Sequence, residues 1–249
     1  MLQACLNGAR SRAECARLPV TSRELAMEAR RAAAAGAQDI HLHPKNRDGR
    51  DTLEPTTVAA ALTAVRAAVP GITVGVTTGA WATPDPEARA AQVRSWTVLP
   101  DHASVNWHED GATEVATALL DRGIGIEAGI YSGTSSAQRF LNWSQSHRVL
   151  RVLAEITDTG PQTAVHSAVD LLDELRPAAP SPILLHGEDE TAWPILRLAA
   201  ARRLDTRIGL EDVLQLPDGT PVETNADLIH AAREIIQQTS GSSDTRLHH

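Results

Sequence analysis

The chain has 249 residues, the size of one (β/α)8 barrel or of two smaller domains. Its 31 acidic residues against 23 basic ones leave a net charge of −8, which argues against a nucleic-acid groove or a polybasic membrane contact. Aromatic residues make up 3%, too few for base-stacking platforms, and Lys45 is the only lysine, which removes most options for Schiff-base chemistry.

Short apolar runs alternate with amphipathic stretches from the first residues onward. The run 2–7 precedes a helix at 22–36, and the run 39–43 precedes one at 56–69. Runs 72–77, 103–106 and 124–128 precede helices at 86–97, 111–122 and 134–146. Runs 149–156, 182–186 and 206–210 precede helices at 162–176, 189–203 and 223–238. Eight strand–helix pairs predict a TIM barrel, the alternative being a doubly wound open sheet, which usually needs fewer strands. Thr21-Ser22-Arg23-Glu24 has the pattern of a capping box, and Gly36 and Gly123 stand where helices end. The reading is one domain over 1–238, followed by a disordered tail at 239–249 that includes His248 and His249. No basic and apolar leader is visible, and no apolar run approaches the length of a membrane span. Cys5 and Cys15 are the only cysteines, so a reduced cytoplasmic protein is expected.

Chemistry in such a barrel sits at the C-terminal ends of the strands. These ends read Asn7, His41 with His43, Thr77 with Thr78, Asn106, Glu127, Glu155, His186, and Glu211 with Asp212. In His41-Leu42-His43 the two imidazoles share the interior face, because alternate strand residues point the same way. They are either ligands for a divalent metal or histidines hydrogen-bonded in a polar strand end. On the last strand Arg207 and Glu211 share the inward parity. Glu211 is either a third ligand, giving a His2Glu set with an open position, or half of an ion pair with Arg207. Asp212 points into the loop, as a general base or as an anchor for Arg207. Thr77-Thr78-Gly79 suits a carboxylate, or is an ordinary turn. Glu127 faces inward, where it supports a metal-bound histidine or binds substrate, and Asn106 orients substrate or a ligand. His186 and Glu155 have no separable role, and His102 and His108 are expected to be solvated.

Together these segments resemble a known family. Asn7-Gly8-Ala9-Arg10, the segment from Ala35 through His41-Leu42-His43-Pro44, Thr77-Thr78-Gly79, Ser104-Val105-Asn106, Arg207-Ile208-Gly209-Leu210-Glu211-Asp212 and Asn225-Ala226-Asp227-Leu228-Ile229 occur in this order. They are similar to the β-keto acid cleavage enzymes, typified by 3-keto-5-aminohexanoate cleavage enzyme, over residues 2 to about 235. The resemblance implies a TIM barrel, usually a homo-oligomer, with zinc held at His41, His43 and Glu211. It implies conversion of a β-keto acid and acetyl-CoA into acetoacetate and a new CoA thioester. Arg207 and Asp212 would form the dyad that drives proton transfer, and Thr77 would help bind the substrate carboxylate. Arg10 stands where an acidic or small polar residue is expected, and His102 where a threonine is. The loops after strands three and six read as short.

Overall fold

A computed structural model describes residues 1–176 and 181–244, with side chains described up to 239. The chain runs β1 (Leu2–Cys5), α1 (Ser22–Ala35), β2 (Asp39–Leu42), α2 (Pro55–Ala68), β3 (Thr73–Thr77), α3 (Pro86–Ser95), β4 (His102–Asn106) and α4 (Ala112–Asp121). It continues with β5 (Gly125–Tyr131), α5 (Ser136–Leu141), β6 (Arg151–Ile156), α6 (Pro161–Leu175), β7 (Ile183–Gly187), α7 (Ala192–Arg202), β8 (Thr206–Ile208) and α8 (Asn225–Asp244). All the strands pair in parallel, in the order β7-β6-β5-β4-β3-β2-β1-β8. Between β7 and β8 a bridge at Leu184 and Asp205 closes the seam, helped by Leu185 N–H donating to the Asp205 carbonyl at 2.9 Å. This nearly closed barrel is the expected TIM architecture.

The strand residues facing the helices are apolar and fully buried: Ala4, Ile40, Leu42, Val74, Val76, Ala103, Ile126 and Ala128 among them. Transfer of these faces from water drives the helices onto the sheet. Helix starts follow from local chemistry. Thr21 and Glu24 form the capping box of α1, and its end is turned by Gly36 at φ 109. Glu54 caps α2, which begins at Pro55.

Three elements depart from the sequence reading. The helix expected over 134–146 is the short α5 followed by a 3-10 turn at Ser146–Arg148, with Trp143 leaving the helix to pack 5.0 Å from Trp107. Strand β8 stops at Ile208, because Gly209 passes so close to the β1 backbone that a Cβ would lie 1.9 Å from the Cys5 carbonyl oxygen. Helix α8 continues through Asp244, so the boundary drawn at 238 falls inside a helix, and residues 245–249 lie outside the described residues. No helix among the described residues is long and apolar enough to cross a membrane.

Candidate metal centre and active site

The inward faces of the strands stack in two charged layers. The deeper layer holds Gln3, Asp39, His102, Glu127 and Arg151, all buried. Strand register brings them together, since Gln3 pairs with Asp39 and Glu127 pairs with Arg151. Opposite His102 stands Gly75, where a Cβ would lie 2.0 Å from the imidazole, so only glycine leaves room for that ring. Arg151 donates to Glu127 Oε1 at 2.6 Å and to Asp39 Oδ2 at 3.0 Å. Gln3 donates to Asp39 at 3.0 Å and to Glu127 at 2.8 Å, and His102 Nε2 lies 3.0 Å from Asp39 Oδ1. Burial opposes a charge on His102, yet Glu127 and Asp39 outweigh it and push the imidazole up to about 9. Its expected solvation is therefore corrected: His102 is a buried ion-pair member, whereas His108 is exposed.

Above this layer, at the C-terminal mouth, His41, His43 and Glu211 bring one ligand atom each within 4.8 Å of one another. His41 Nε2 lies 3.9 Å from Glu211 Oε2, and His43 Nε2 lies 3.7 Å from Glu211 Oε1. Buried Glu211 Oε2 has no hydrogen-bond partner, an oxygen left open for an ion. Two imidazole nitrogens and a carboxylate around one space suit a divalent cation with an open position. Gly8, at φ 57, passes directly under Glu211; a Cβ there would lie 2.4 Å from Glu211 Cγ.

The far side of His43 is held by a residue that no strand pattern marks. Asp51 Oδ2 lies 2.6 Å from His43 Nδ1 and accepts from Trp81 Nε1 at 2.8 Å, and Lys45 pairs with Asp51 Oδ1. Burial disfavours the Asp51 charge, but His43 and Lys45 overcome it and hold the carboxyl below its ordinary range. An ionised carboxylate only accepts, so His43 Nδ1 carries a proton toward Asp51, and Nε2, which faces Glu211, is the nitrogen that would take a cation in place of its proton. Burial lowers His41 to about 4, leaving it neutral. His43 goes the other way, to about 9, because Glu211 and Asp51 outweigh its burial. Trp81 stacks on His43 with the rings 5.8 Å apart and inclined by 16°.

Beside the triad, buried Arg207 donates to Glu211 Oε1 at 3.0 Å and approaches Asp212 Oδ1 at 3.2 Å. Asp212 does not point into the loop. It is fully buried, with neither carboxylate oxygen hydrogen-bonded, and its backbone carbonyl accepts from Asp189 N–H at 2.7 Å. That burial pushes its carboxyl up to about 7 against the pull of Arg207 and His186. His186 stands between Asp212 Oδ1 at 3.5 Å and Glu155 Oε2 at 3.3 Å. Arg10 donates to the Glu211 carbonyl at 2.9 Å and pairs with Asp189 at 2.5 Å. A cleft of about 280 Å³ opens over these groups, with His41, His43, Thr77, Asn106, Arg207 and Glu211 in its wall. It shares Tyr131, Glu155, Glu188 and Asp189 with a side chamber of about 520 Å³.

A sequence-family model described as beta-keto acid cleavage enzyme matches residues 1–245. The chain belongs to the β-keto acid cleavage enzyme family. Among solved structures, apo ObcA superposes with a TM-score of 0.71 at 17% identity, covering 88% of this chain and 61% of that one. ObcA in a ternary complex with a C4-CoA adduct and oxalate gives 0.74 at 16% identity, with 90% and 64% covered. This chain thus spans about three-fifths of the length of ObcA. A type I 3-dehydroquinate dehydratase from Clostridium difficile gives 0.65 at 12% identity, with 95% and 92% covered. At these identities the likeness is one of fold.

The structure brings His41, His43, Glu211, Arg207 and Asp212 into one cluster. Thr77 and Asn106 reach the cleft, Asn106 donating to Glu109 at 2.9 Å. Thr78 turns away and donates to the Ser104 carbonyl at 2.6 Å, and Gly79 N–H donates back to the Thr77 hydroxyl at 3.1 Å. Glu127 lies beneath the cleft, in the deeper layer. Sequence reasoning missed Asp51 and Trp81. Their only local signal is the aspartate eight residues past His43, on a loop that folds back through the Lys45–Asp51 bridge.

Proposed function

We propose that the protein is a zinc-dependent β-keto acid cleavage enzyme. In this reading it transfers the acyl group of a β-keto acid to CoA and returns acetoacetate from acetyl-CoA. The observation that carries the reading is the Glu211 carboxylate facing two imidazoles with its buried Oε2 unpartnered, and the Arg207–Asp212 pair alongside. The bound keto acid and CoA adduct named for ObcA complexes support the substrate classes.

His41, His43 and Glu211 would hold the ion. Bound there, Zn2+ supplies Lewis acidity toward the ketone oxygen and a template for the chelating acid. Thr77, whose hydroxyl is held by Gly79 N–H, places the substrate carboxylate, and Asn106 orients the chain. Glu127 contributes from below rather than by touching substrate. Asp212, raised to about 7 by burial and with neither oxygen hydrogen-bonded, takes the C2 proton and returns it to that carbon as acetoacetate is released, and Arg207 compensates the negative charge that develops on the substrate. The acyl-bearing bond R–CO–CH2COO− breaks and the R–CO–SCoA bond forms. The CH3CO group of acetyl-CoA ends on the departing CH2COO− fragment as acetoacetate. The side chamber gives the R group its space. Free, buried Cys5 and Cys15 fit a reducing compartment such as the cytoplasm, and the family resemblance points to a homo-oligomer.

The test is metal analysis of the purified protein, then a panel of β-keto acids with and without acetyl-CoA. Stoichiometric zinc and acetoacetate formation that requires both substrates support the reading. Absence of any divalent metal under non-chelating conditions overturns it. Asp212→Asn is expected to lower kcat by about 10²- to 10⁴-fold with zinc retained.

A further inference from the structure

Buried polar groups are normally paired, so orphans are informative. In the deeper layer nearly every polar atom has its partner. Arg151, Gln3, Asp39 and His102 Nε2 are mutually bonded, and the Thr73 hydroxyl donates to Asp39 at 2.6 Å. Two atoms make no hydrogen bond, His102 Nδ1 and Glu127 Oε2, which face each other as an ion pair at 3.3 Å. Above them the underside of His41 is also orphaned, its Nδ1 lying 3.9 Å from that same Glu127 oxygen.

We propose that Glu127 is a positioning residue for His41. Its Oε2, which faces His102 Nδ1 on one side, accepts a hydrogen bond from His41 Nδ1–H on the other, which leaves Nε2 as the ligand atom aimed at the space shared with Glu211. Arg151 and His102 hold the Glu127 carboxylate in place from below. The two imidazoles of the triad are then oriented by different carboxylates, His43 by Asp51 from the loop and His41 by Glu127 from the barrel floor. A carboxylate in this place fixes the ring's tautomer and rotation and makes its other nitrogen the better donor. Glutamine has the same shape but a weaker acceptor and a competing N–H donor.

The inference rests on His41 being a metal ligand, and the test separates the two ideas. Metal-free wild type, Glu127→Gln and Asp51→Asn are titrated with zinc against a chromophoric chelator, and with Co2+ while the ligand-field spectrum is recorded. Glu127→Gln is expected to weaken binding about 10- to 100-fold and to shift the Co2+ bands. Unchanged affinity and spectrum in a folded Glu127→Gln protein overturn the positioning role. Failure of wild type to bind either ion instead overturns the metal reading itself. Should Glu127→Gln fail to fold, long-range ¹H–¹⁵N spectra of zinc-loaded wild type decide the matter. A His41 proton on Nδ1 is the expected result, and a proton on Nε2 overturns the proposal.

Discussion

The two charged layers inside this barrel are built from the same residue types and behave oppositely. The floor, with Asp39, Glu127, Arg151, His102 and Gln3, spends all but two atoms of its hydrogen-bonding capacity on itself, the exceptions being His102 Nδ1 and Glu127 Oε2, which face each other at 3.3 Å. The layer at the mouth does not. His186, Arg207, Glu211 and Asp212 all keep buried atoms without partners. A buried group left unsatisfied costs about 1–3 kcal/mol, so such orphans persist where something else supplies the missing partner. The comparison teaches where the ligand belongs. The floor is a nearly closed platform, whereas the mouth keeps several open polar atoms, which under the proposed function a cation and an anionic substrate would complete.

The sharpest way to break this contrast is Glu211→Gln. In the mouth layer it removes the anionic oxygen between two imidazoles and a partner of Arg207. Zinc content is expected to fall below stoichiometry and turnover to drop on the order of 10³-fold or more. Plasma emission analysis and acetoacetate formation measure the two. Full zinc and full activity in this variant would mean that the mouth is an ion-pair network like the floor.

The floor responds to pH instead. His102 has an ordinary value of 6.5 and a folded value near 9. A raised folded pKa means that the proton stabilises the native state. That contribution is fully present below pH 6.5 and is lost as pH rises through about 9, on the order of 3 kcal/mol at most. Thermal melts of the metal-free protein between pH 6 and pH 9.5 should show a decline of several degrees, which His102→Gln reduces and to which His43, also raised to about 9, contributes the remainder. A flat wild-type profile would place the His102 charge elsewhere.

The legibility of these two layers in the sequence also differs. His41, His43 and Arg207 are readable because strand parity and a common barrel rim are local rules, whereas Glu211 stands beyond the end of β8, in the turn after Gly209, where parity does not reach. The fold was readable for the same reason: eight apolar runs, each followed by an amphipathic stretch, repeat a simple unit. His102 was misplaced because it begins β4, and its inward course depends on Gly75 vacating space on the neighbouring strand. Asp212 was assigned to a loop by its position after Glu211. In fact the chain turns sharply past Gly209, and Asp212 N–H donates to the Gly209 carbonyl at 2.9 Å, which tucks the carboxylate against Arg207. Asp51 belongs to a loop whose return is written in backbone hydrogen bonds such as Asn46 N–H to the Arg50 carbonyl, and no periodicity announces it.

Asp51 joins the mouth to the loop above it, so Asp51→Asn sharpens the comparison from the upper side. Asparagine can still accept from His43 Nδ1 but no longer balances Lys45. Zinc affinity is expected to fall about 10- to 100-fold. Tryptophan emission should change as well, since the oxygen that accepts from the Trp81 indole N–H loses its charge. An affinity equal to wild type would show that His43 keeps its orientation through stacking on Trp81 alone.

The finest comparison is between two adjacent hydroxyls, Thr77 and Thr78, which differ in direction by one residue of strand. Thr77 lies in the cleft wall and accepts from Gly79 N–H. Thr78 is spent on the Ser104 carbonyl, tying the end of β3 to β4. Thr77→Val keeps the shape, removes a group available to a carboxylate, and is expected to raise KM several-fold with little loss of stability. Thr78→Val strands the Ser104 carbonyl and is expected to cost about 1 kcal/mol of stability with KM nearly unchanged. Steady-state kinetics and chemical denaturation on the two variants distinguish these outcomes. An equal effect of both on KM would mean that the turn binds substrate through its backbone geometry, which either threonine can disturb, and not through the Thr77 hydroxyl.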